Sequence, residues 1–218
     1  MSFIFGGRCA DGAVVAADRR VLRGLELGED SDKVYLLGPQ GTPTMVVSFA
    51  GVRDFGLRLV DVLRENREQP LAELVRLAKT TLREIWDANK DALRDDARVD
   101  ALLAGYDEGG WRLFLVSCEG WAEESPLECL GDGGGYARSL ARALWDHALP
   151  GEELWQVAVF VIGYTGQIHV SVGGTPDVFL LRDGGGVERV EEERVLTALG
   201  QVDMVAAGLR RTLLEGLG

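Results

Sequence analysis

Strand-like runs in this chain come in hairpin pairs, and the hairpins are separated by helices in twos. That order constrains the fold more than any other feature of the sequence. Apolar, β-branched and aromatic residues fill 2–8 and 12–18, with Ala10, Asp11 and Gly12 as the turn between them. A second pair, 33–37 and 44–50, flanks the turn Gly38-Pro39-Gln40-Gly41. From Asp54 the apolar period becomes helical, through Phe55, Leu59, Val60 and Leu63 to Asn66. Another helix follows Pro70, carries Leu71, Leu74, Val75, Ala78, Leu82 and Ile85 on one stripe, and fades in the charged run 90–98.

The pattern then repeats. Residues 99–106 and 111–118 form a hairpin across Asp107, Glu108, Gly109 and Gly110, and a short strand ends at Leu130. After the glycines of 131–135, two apolar helices, 136–147 and 152–162, are divided by Pro150 and Gly151. A last hairpin, 178–181 and 187–190, precedes one terminal helix that starts in the solvated charge run 191–194. Each helix pair has an apolar stripe to bury, and two sheets packed face to face leave two outer faces to receive them. The expected fold is therefore α+β, a four-layer αββα sandwich. A parallel α/β fold needs strands and helices to alternate singly, and they do not. No linker, low-complexity tract or internal repeat interrupts the chain, so residues 1–218 are expected to form one domain.

Composition narrows the function. A formal charge of −12 opposes binding to nucleic-acid phosphates or anionic lipid. No apolar run is long enough to span a bilayer, and the opening MSFIFGG lacks the basic and long apolar regions of a signal peptide, so a soluble cytoplasmic protein is expected. Cys9, Cys118 and Cys129 are widely spaced and fit reduced, packed thiols. With only His147 and His169 present, a three-histidine metal site is impossible within the chain, and no metal or other cofactor is expected. His147 is expected to cap a helix end, and His169 to lie at the surface. Histidine scarcity directs attention to chemistry that works without an imidazole base.

The segment Gly12-Ala13-Val14-Val15-Ala16-Ala17-Asp18-Arg19-Arg20 closely resembles the region near the mature N-terminus of proteasome β-subunits and HslV peptidases. Lys33-Val34-Tyr35 is similar to that superfamily's lysine-bearing strand, and Phe49-Ala50-Gly51 to its Ala-Gly turn. Gly131-Asp132-Gly133-Gly134 stands at the place of a Gly-Ser-Gly loop, and Ser171-Val172-Gly173 with Asp177 resembles the bacterial branch called Anbu. The resemblance implies an N-terminal-nucleophile hydrolase in which the register from Asp18 makes Ser2 the nucleophile once Met1 is removed.

A serine hydroxyl needs a base, and the resemblance supplies one in the chain's own α-amino group, whose unperturbed pKa of about 8 leaves an appreciable neutral fraction at physiological pH. Lys33 would favour the alkoxide, Asp18 would keep Lys33 charged, and the Gly51 N–H would face the oxyanion. Arg20, Val21 and Ser48 are expected within the substrate walls, residues 19–24 and 47–53, with Ser171 and Asp132 in support. The implied activity is cleavage of peptides or unfolded protein inside a self-compartmentalised homo-oligomer, a closed ring stack or an open helical assembly, with room for an ATPase partner. Two other readings stay open. Asp132 replaces a serine, and no aspartate lies within 165–169, which allows an inactive structural or peptide-binding subunit. An incoming amine in place of water would make the chain an acyl-transfer enzyme.

Overall fold

The computed structural model describes residues 3–20, 22–23, 26–27, 31–38, 43–93, 98–184 and 186–216. Ser2, Val21 and residues 39–41 of the second expected turn lie outside these. In chain order the first elements are β1 (Phe3–Cys9), β2 (Gly12–Ala17), β3 (Leu22–Arg23), β4 (Glu26–Leu27), β5 (Val34–Leu37) and β6 (Met45–Gly51). Helices α1 (Arg53–Glu65) and α2 (Leu71–Leu93) follow, then β7 (Val99–Asp107), β8 (Gly110–Ser117), β9 (Trp121–Glu124) and β10 (Leu127–Gly131). The chain continues with α3 (Gly134–Leu144), α4 (Gly151–Ile168), β11 (Asp177–Arg182), β12 (Gly186–Arg189), α5 (Glu192–Gly200) and α6 (Val202–Gly216).

Two five-stranded antiparallel sheets stack, one in the order β10-β1-β2-β11-β12 and the other β5-β6-β7-β8-β9, beside the small β3–β4 hairpin. Side-chain alternation assigns each strand residue to a layer. Ile4, Ala13, Val15 and Ala17 of the first sheet meet Val46, Leu102, Ala104 and Leu113 of the second between the sheets. Their neighbours Phe3, Phe5, Val14 and Ala16 turn outward under α3 and α4. On the other side, Met45, Val47, Ala101 and Leu103 turn outward under α1 and α2. Each fully buried Leu, Val or Phe contributes about 1.5–3 kcal/mol, so a one-residue slip that exchanged the two faces of a strand is strongly opposed. Trp111 fixes the sheets to one another: its ring is fully buried and its indole N–H donates to Arg182 O at 2.7 Å.

The expected αββα order is the observed one, with α1 and α2 on one outer face and α3 and α4 on the other. Several details differ. Helix α4 runs to Ile168, six residues past its expected end, because α5 and α6 lie over it and bury its far side. The terminal helix is two helices, α5 and α6, broken at Gly200 and Gln201. Helix α3 ends at Leu144, so His147 lies in the turn beyond it and caps nothing; its Nδ1 is 3.3 Å from Asp146 Oδ1. His169 is itself the C-cap residue of α4, half-buried, its N–H donating to Thr165 O. Strands β3, β4 and β9 were not expected from the sequence. No described helix is long and apolar enough to cross a membrane.

Candidate active site

Three segments meet at the end of the sandwich where β1 begins and β2 ends. The central one is 18–20. Asp18 N–H donates to Phe3 O at 3.0 Å, and Phe3 N–H donates back to Asp18 Oδ1 at 2.7 Å, so the start of β1 is tied to this carboxylate. The second segment, 31–33, leads into β5. Lys33 Nζ reaches Asp18 Oδ1 at 2.7 Å and Arg20 O at 2.5 Å, Ser31 N–H donates to Arg19 O, and Arg19 Nη2 is 3.3 Å from Asp32 Oδ1. The third, 170–173, connects α4 to β11. Gly173 N–H donates to Asp18 Oδ2 at 3.1 Å, and Gly173 O accepts from both Arg19 and Arg20 N–H. The Arg20 guanidinium closes the arrangement by donating to Val170 O and Val172 O, each at 2.9 Å. It lies so close to Gly173 that a Cβ there would stand 2.4 Å from Arg20 Cζ, so any other residue would displace the guanidinium.

Asp18 is fully buried and Lys33 is 7% exposed. Burial pushes the Asp18 carboxyl above the usual carboxylate range, and Lys33 with the Phe3 and Gly173 N–H groups draws it part of the way back. An ammonium is thereby held beside the first backbone amide of β1. Because Phe3 N and Lys33 Nζ both lie 2.7 Å from one oxygen, they can be no farther apart than twice that distance.

The other expected site residues divide. Ser48 is fully buried and donates to Lys33 O at 2.6 Å; it sets the position of the lysine strand and is no part of a substrate wall. Val47, Phe49 and Ala50 are also buried, which leaves 51–53 as the accessible part of the expected wall 47–53. Gly51 ends β6 opposite Val99, at the same end of the sheet as Lys33. Its φ is +126°, and a Cβ would stand 2.1 Å from Arg98 O, so the local backbone alone demands glycine. Ser171 is buried in the turn after α4, two residues before Gly173. Asp132 is half-buried in the turn between β10 and α3. Arg20 is bound to the carbonyls of 170 and 172. Ser2 and Val21 lie outside the described residues.

Sequence reasoning missed the brace behind the site. Asp177, buried at the start of β11, lies between Arg19, whose Nε is 3.7 Å from Oδ2, and Arg189, whose Nη2 donates to Oδ1. Asp177 was visible in the sequence only as a landmark after Ser-Val-Gly, because its partners come from distant strands. The two N–H donors to Asp18 were equally hidden, since backbone groups leave no mark in a sequence.

Comparison with known proteins bears on the family and the fold. The family model described as Proteasome subunit matches residues 2–179. The ATP-dependent protease subunit HslV of Sulfurihydrogenibium sp. (strain YO3AOP1) is 29% identical over 162 residues, covering 72% of this chain and 87% of that protein. Anbu (ancestral beta-subunit) from Yersinia bercovieri superposes with a TM-score of 0.81 at 20% identity, over 96% of each chain. An Anbu (Gly-1) mutant from Hyphomicrobium sp. strain MC1 gives 0.82 at 17% identity over 100% of each. The helical assembly of the Anbu complex from Pseudomonas aeruginosa gives 0.80 at 21% identity, over 98% of this chain and 96% of that one. The chain therefore belongs to the proteasome-subunit family, within the proteasome- and HslV-like N-terminal-nucleophile hydrolases.

Proposed function

We propose that the protein is a serine-type N-terminal-nucleophile peptidase, folded as a single domain, in which Ser2 is the nucleophile after removal of Met1. One observation carries this reading: Asp18 Oδ1 accepts hydrogen bonds from both Phe3 N–H and Lys33 Nζ. Ser2 is joined to Phe3 through that same amide, and successive Cα atoms are about 3.8 Å apart. A nucleophile at position 2 is thus covalently tethered next to a buried ammonium group.

The chemistry needs no histidine. The neutral α-amino group of Ser2 takes the proton from its own Oγ while Oγ bonds to the substrate carbonyl carbon. Lys33 lowers the cost of negative charge on Oγ, and Asp18 keeps Lys33 in place. The Gly51 N–H is the proposed donor to the tetrahedral oxyanion. The α-ammonium then protonates the leaving nitrogen as the C–N bond breaks, and water resolves the ester by the reverse sequence. Segments 19–21 and 51–53 are the proposed walls for an extended peptide or unfolded segment, with Ser171 supporting the 170–173 turn. From its relatives we carry over a homo-oligomeric assembly, and an ATPase partner from the one named ATP-dependent.

Protein made in cells should have an intact mass lacking Met1, and a β-lactone probe should acylate it but not the Ser2→Ala variant. Retained Met1, or equal labelling of both proteins, would overturn the assignment. Adding an amine-bearing peptide separates hydrolysis from acyl transfer by the product formed.

A further inference from the structure

Cations are the minority charge on this chain, 23 Lys and Arg against 35 Asp and Glu, so each one bordering the site needs an account. Lys33 is bound to Asp18 and to Arg20 O, Arg20 to Val170 O and Val172 O, and Arg19 to Asp32 and Asp177. Arg53, in the accessible wall 51–53, differs from these. It is exposed, and among the described residues it has no hydrogen-bond or ion-pair partner. It also opens helix α1, where the helix dipole disfavours a positive side chain. Neither pairing nor helix stability explains an arginine at this position.

The backbone fixes where Arg53 stands. It follows Gly51 by two residues, so the two Cα atoms are at most about 7.6 Å apart. Gly56, Leu57 and Val60, at helical spacing from Arg53, form the face of α1 laid on β6: Val60 is buried, and a Cβ on Gly56 would stand 2.1 Å from Phe49 Cδ2. Arg53 continues that face beyond the packed layer. Phe49 is in turn stacked on Tyr35, with ring centroids 5.7 Å apart and planes 5° apart, and the Tyr35 hydroxyl donates to Asp32 O. Burial pushes that hydroxyl above its usual range, and Arg53 is the strongest charge acting against it, so the guanidinium and the aromatic pair share one end of the sheet. Arg64 acts on Tyr35 too, but it is bound to Asp61.

We infer that Arg53 is a specificity-determining residue that pairs with a glutamate side chain on the residue whose carbonyl is attacked, so that the enzyme cleaves after acidic residues. This rests on the reading of Ser2 as nucleophile and of the Gly51 N–H as oxyanion donor. A carbonyl held at Gly51 brings the side chain of its own residue toward Arg53. The methylenes of a glutamate then lie against the Tyr35–Phe49 stack, and its carboxylate meets the planar fork of the guanidinium, which can hold both oxygens at once. Arg53 stays charged throughout and takes no part in the proton transfers.

The test compares coumarin-amide tetrapeptides with Glu, Gln or Lys next to the coumarin as substrates of the processed full-length protein. Glu and Gln share one shape, so their ratio isolates the charge. Wild type should favour Glu over Gln about tenfold in kcat/KM, the size of one hydrogen bond to a charged group, and added salt should narrow the gap. Arg53→Gln should remove the preference, Arg53→Lys should keep part of it, and Arg53→Glu should turn it toward Lys. An exposed side chain without partners can be replaced without unfolding, which equal urea midpoints will verify. Where neither Glu nor Gln peptide is cut, their dissociation constants for the Ser2→Ala protein carry the same comparison. Equal values for Glu and Gln, or a preference that survives Arg53→Gln, overturn the inference and leave the nucleophile intact. Failure of wild type to react with the β-lactone brings down both.

Discussion

Lys33 and Asp18 form the pair to which the other segments of the site are bonded, and its energetics separate structure from chemistry. Both side chains are buried, so removing one partner strands the other, at a cost of about 3–5 kcal/mol. Lys33→Met should lose about that much in urea unfolding. The pH dependence follows from the Asp18 carboxyl, which burial raises above its unfolded value. A group raised in this way binds its proton more tightly in the native state, so its contribution is greatest at acid pH and declines as pH rises through the folded value. Without Lys33 the carboxyl is raised further. Lys33→Met should therefore be less stable at about pH 7 than at about pH 5, by more than wild type is. Equal urea midpoints for the variant at the two pH values would contradict the burial argument. Gly51 requires separate treatment. Its positive φ and the nearby Arg98 O mean that Gly51→Ala should cost at least about 1 kcal/mol in stability. Lost activity in that variant counts toward an oxyanion role only when the folded fraction has been measured.

At the scale of elements, the opposite end of the sandwich shows how a turn holds a helix. The N-cap residue of α4 is Pro150, which has no side chain able to cap it, and Asp11 of the β1–β2 turn does so from elsewhere in the chain: Gly151 N–H donates to Asp11 Oδ1 at 2.6 Å. Asp11→Ala should cost about 1 kcal/mol, measured by thermal or urea unfolding. Arg182 joins Asp11 at 2.6 Å to Glu152 at 2.7 Å, and Arg194 reaches Glu152 at 2.8 Å. Partial burial pushes the Asp11 carboxyl up, but the Gly151 N–H, the Cys9 thiol and Arg182 outweigh it and leave it below the usual range. Arg194, then Trp155 and Arg182, hold Glu152 low as well. Carboxyls depressed in the native state stabilise it above their unfolded values of about 4 and lose that effect as pH falls further. Arg182→Gln should accordingly flatten the fall in stability between about pH 5 and 2, and a slope identical to wild type would exclude the network as its source.

The same elements show what sequence could reveal. Hairpins β1–β2, β7–β8 and β11–β12 were legible because glycine-containing turns interrupt runs rich in apolar and β-branched residues. Asp18 and Lys33 were legible as landmarks of a familiar register. The continuation of α4 was not, because Gly163, Thr165 and Gly166 look like helix breakers. In the fold Gly163 gives the close approach that Leu199 and Val202 require, each within 2.8 Å of where a Cβ would be, and that packing outweighs propensity. Strand β9 was missed because it is a polar edge strand with little burial to imprint a pattern. The expectation that Ser48 faces substrate failed for a related reason: alternation along β6 turns it inside, where its hydroxyl serves the Lys33 carbonyl.

For the whole molecule, the two outer helix layers differ in a way that bears on assembly. The α1–α2 layer carries charged side chains such as Arg64, Arg76, Arg83 and Asp87 on its outer surface. The opposite layer exposes Tyr136, Ile168, Leu196, Met204 and Val205, with Met204 70% exposed, and α4, α5 and α6 border an open apolar pocket of about 240 Å³ lined by Val157, Phe160, Val202 and Val205. Apolar surface on a chain of net charge −12 is not maintained for solubility. In the proposed homo-oligomer it would be the layer to meet a second copy, where like-charged molecules approach only if burial of apolar area outweighs repulsion. Two results should follow. Raising the salt concentration should favour assembly, because screening weakens the repulsion while leaving the apolar term in place. Met204→Glu with Val205→Asp should shift the sedimentation mass toward the 23.7 kDa monomer without altering the circular dichroism spectrum, since Met204 and Val205 lie on the exposed side of α6. An assembly that survives both substitutions uses another face, and the edge strands β10 and β9 then become the surfaces to test.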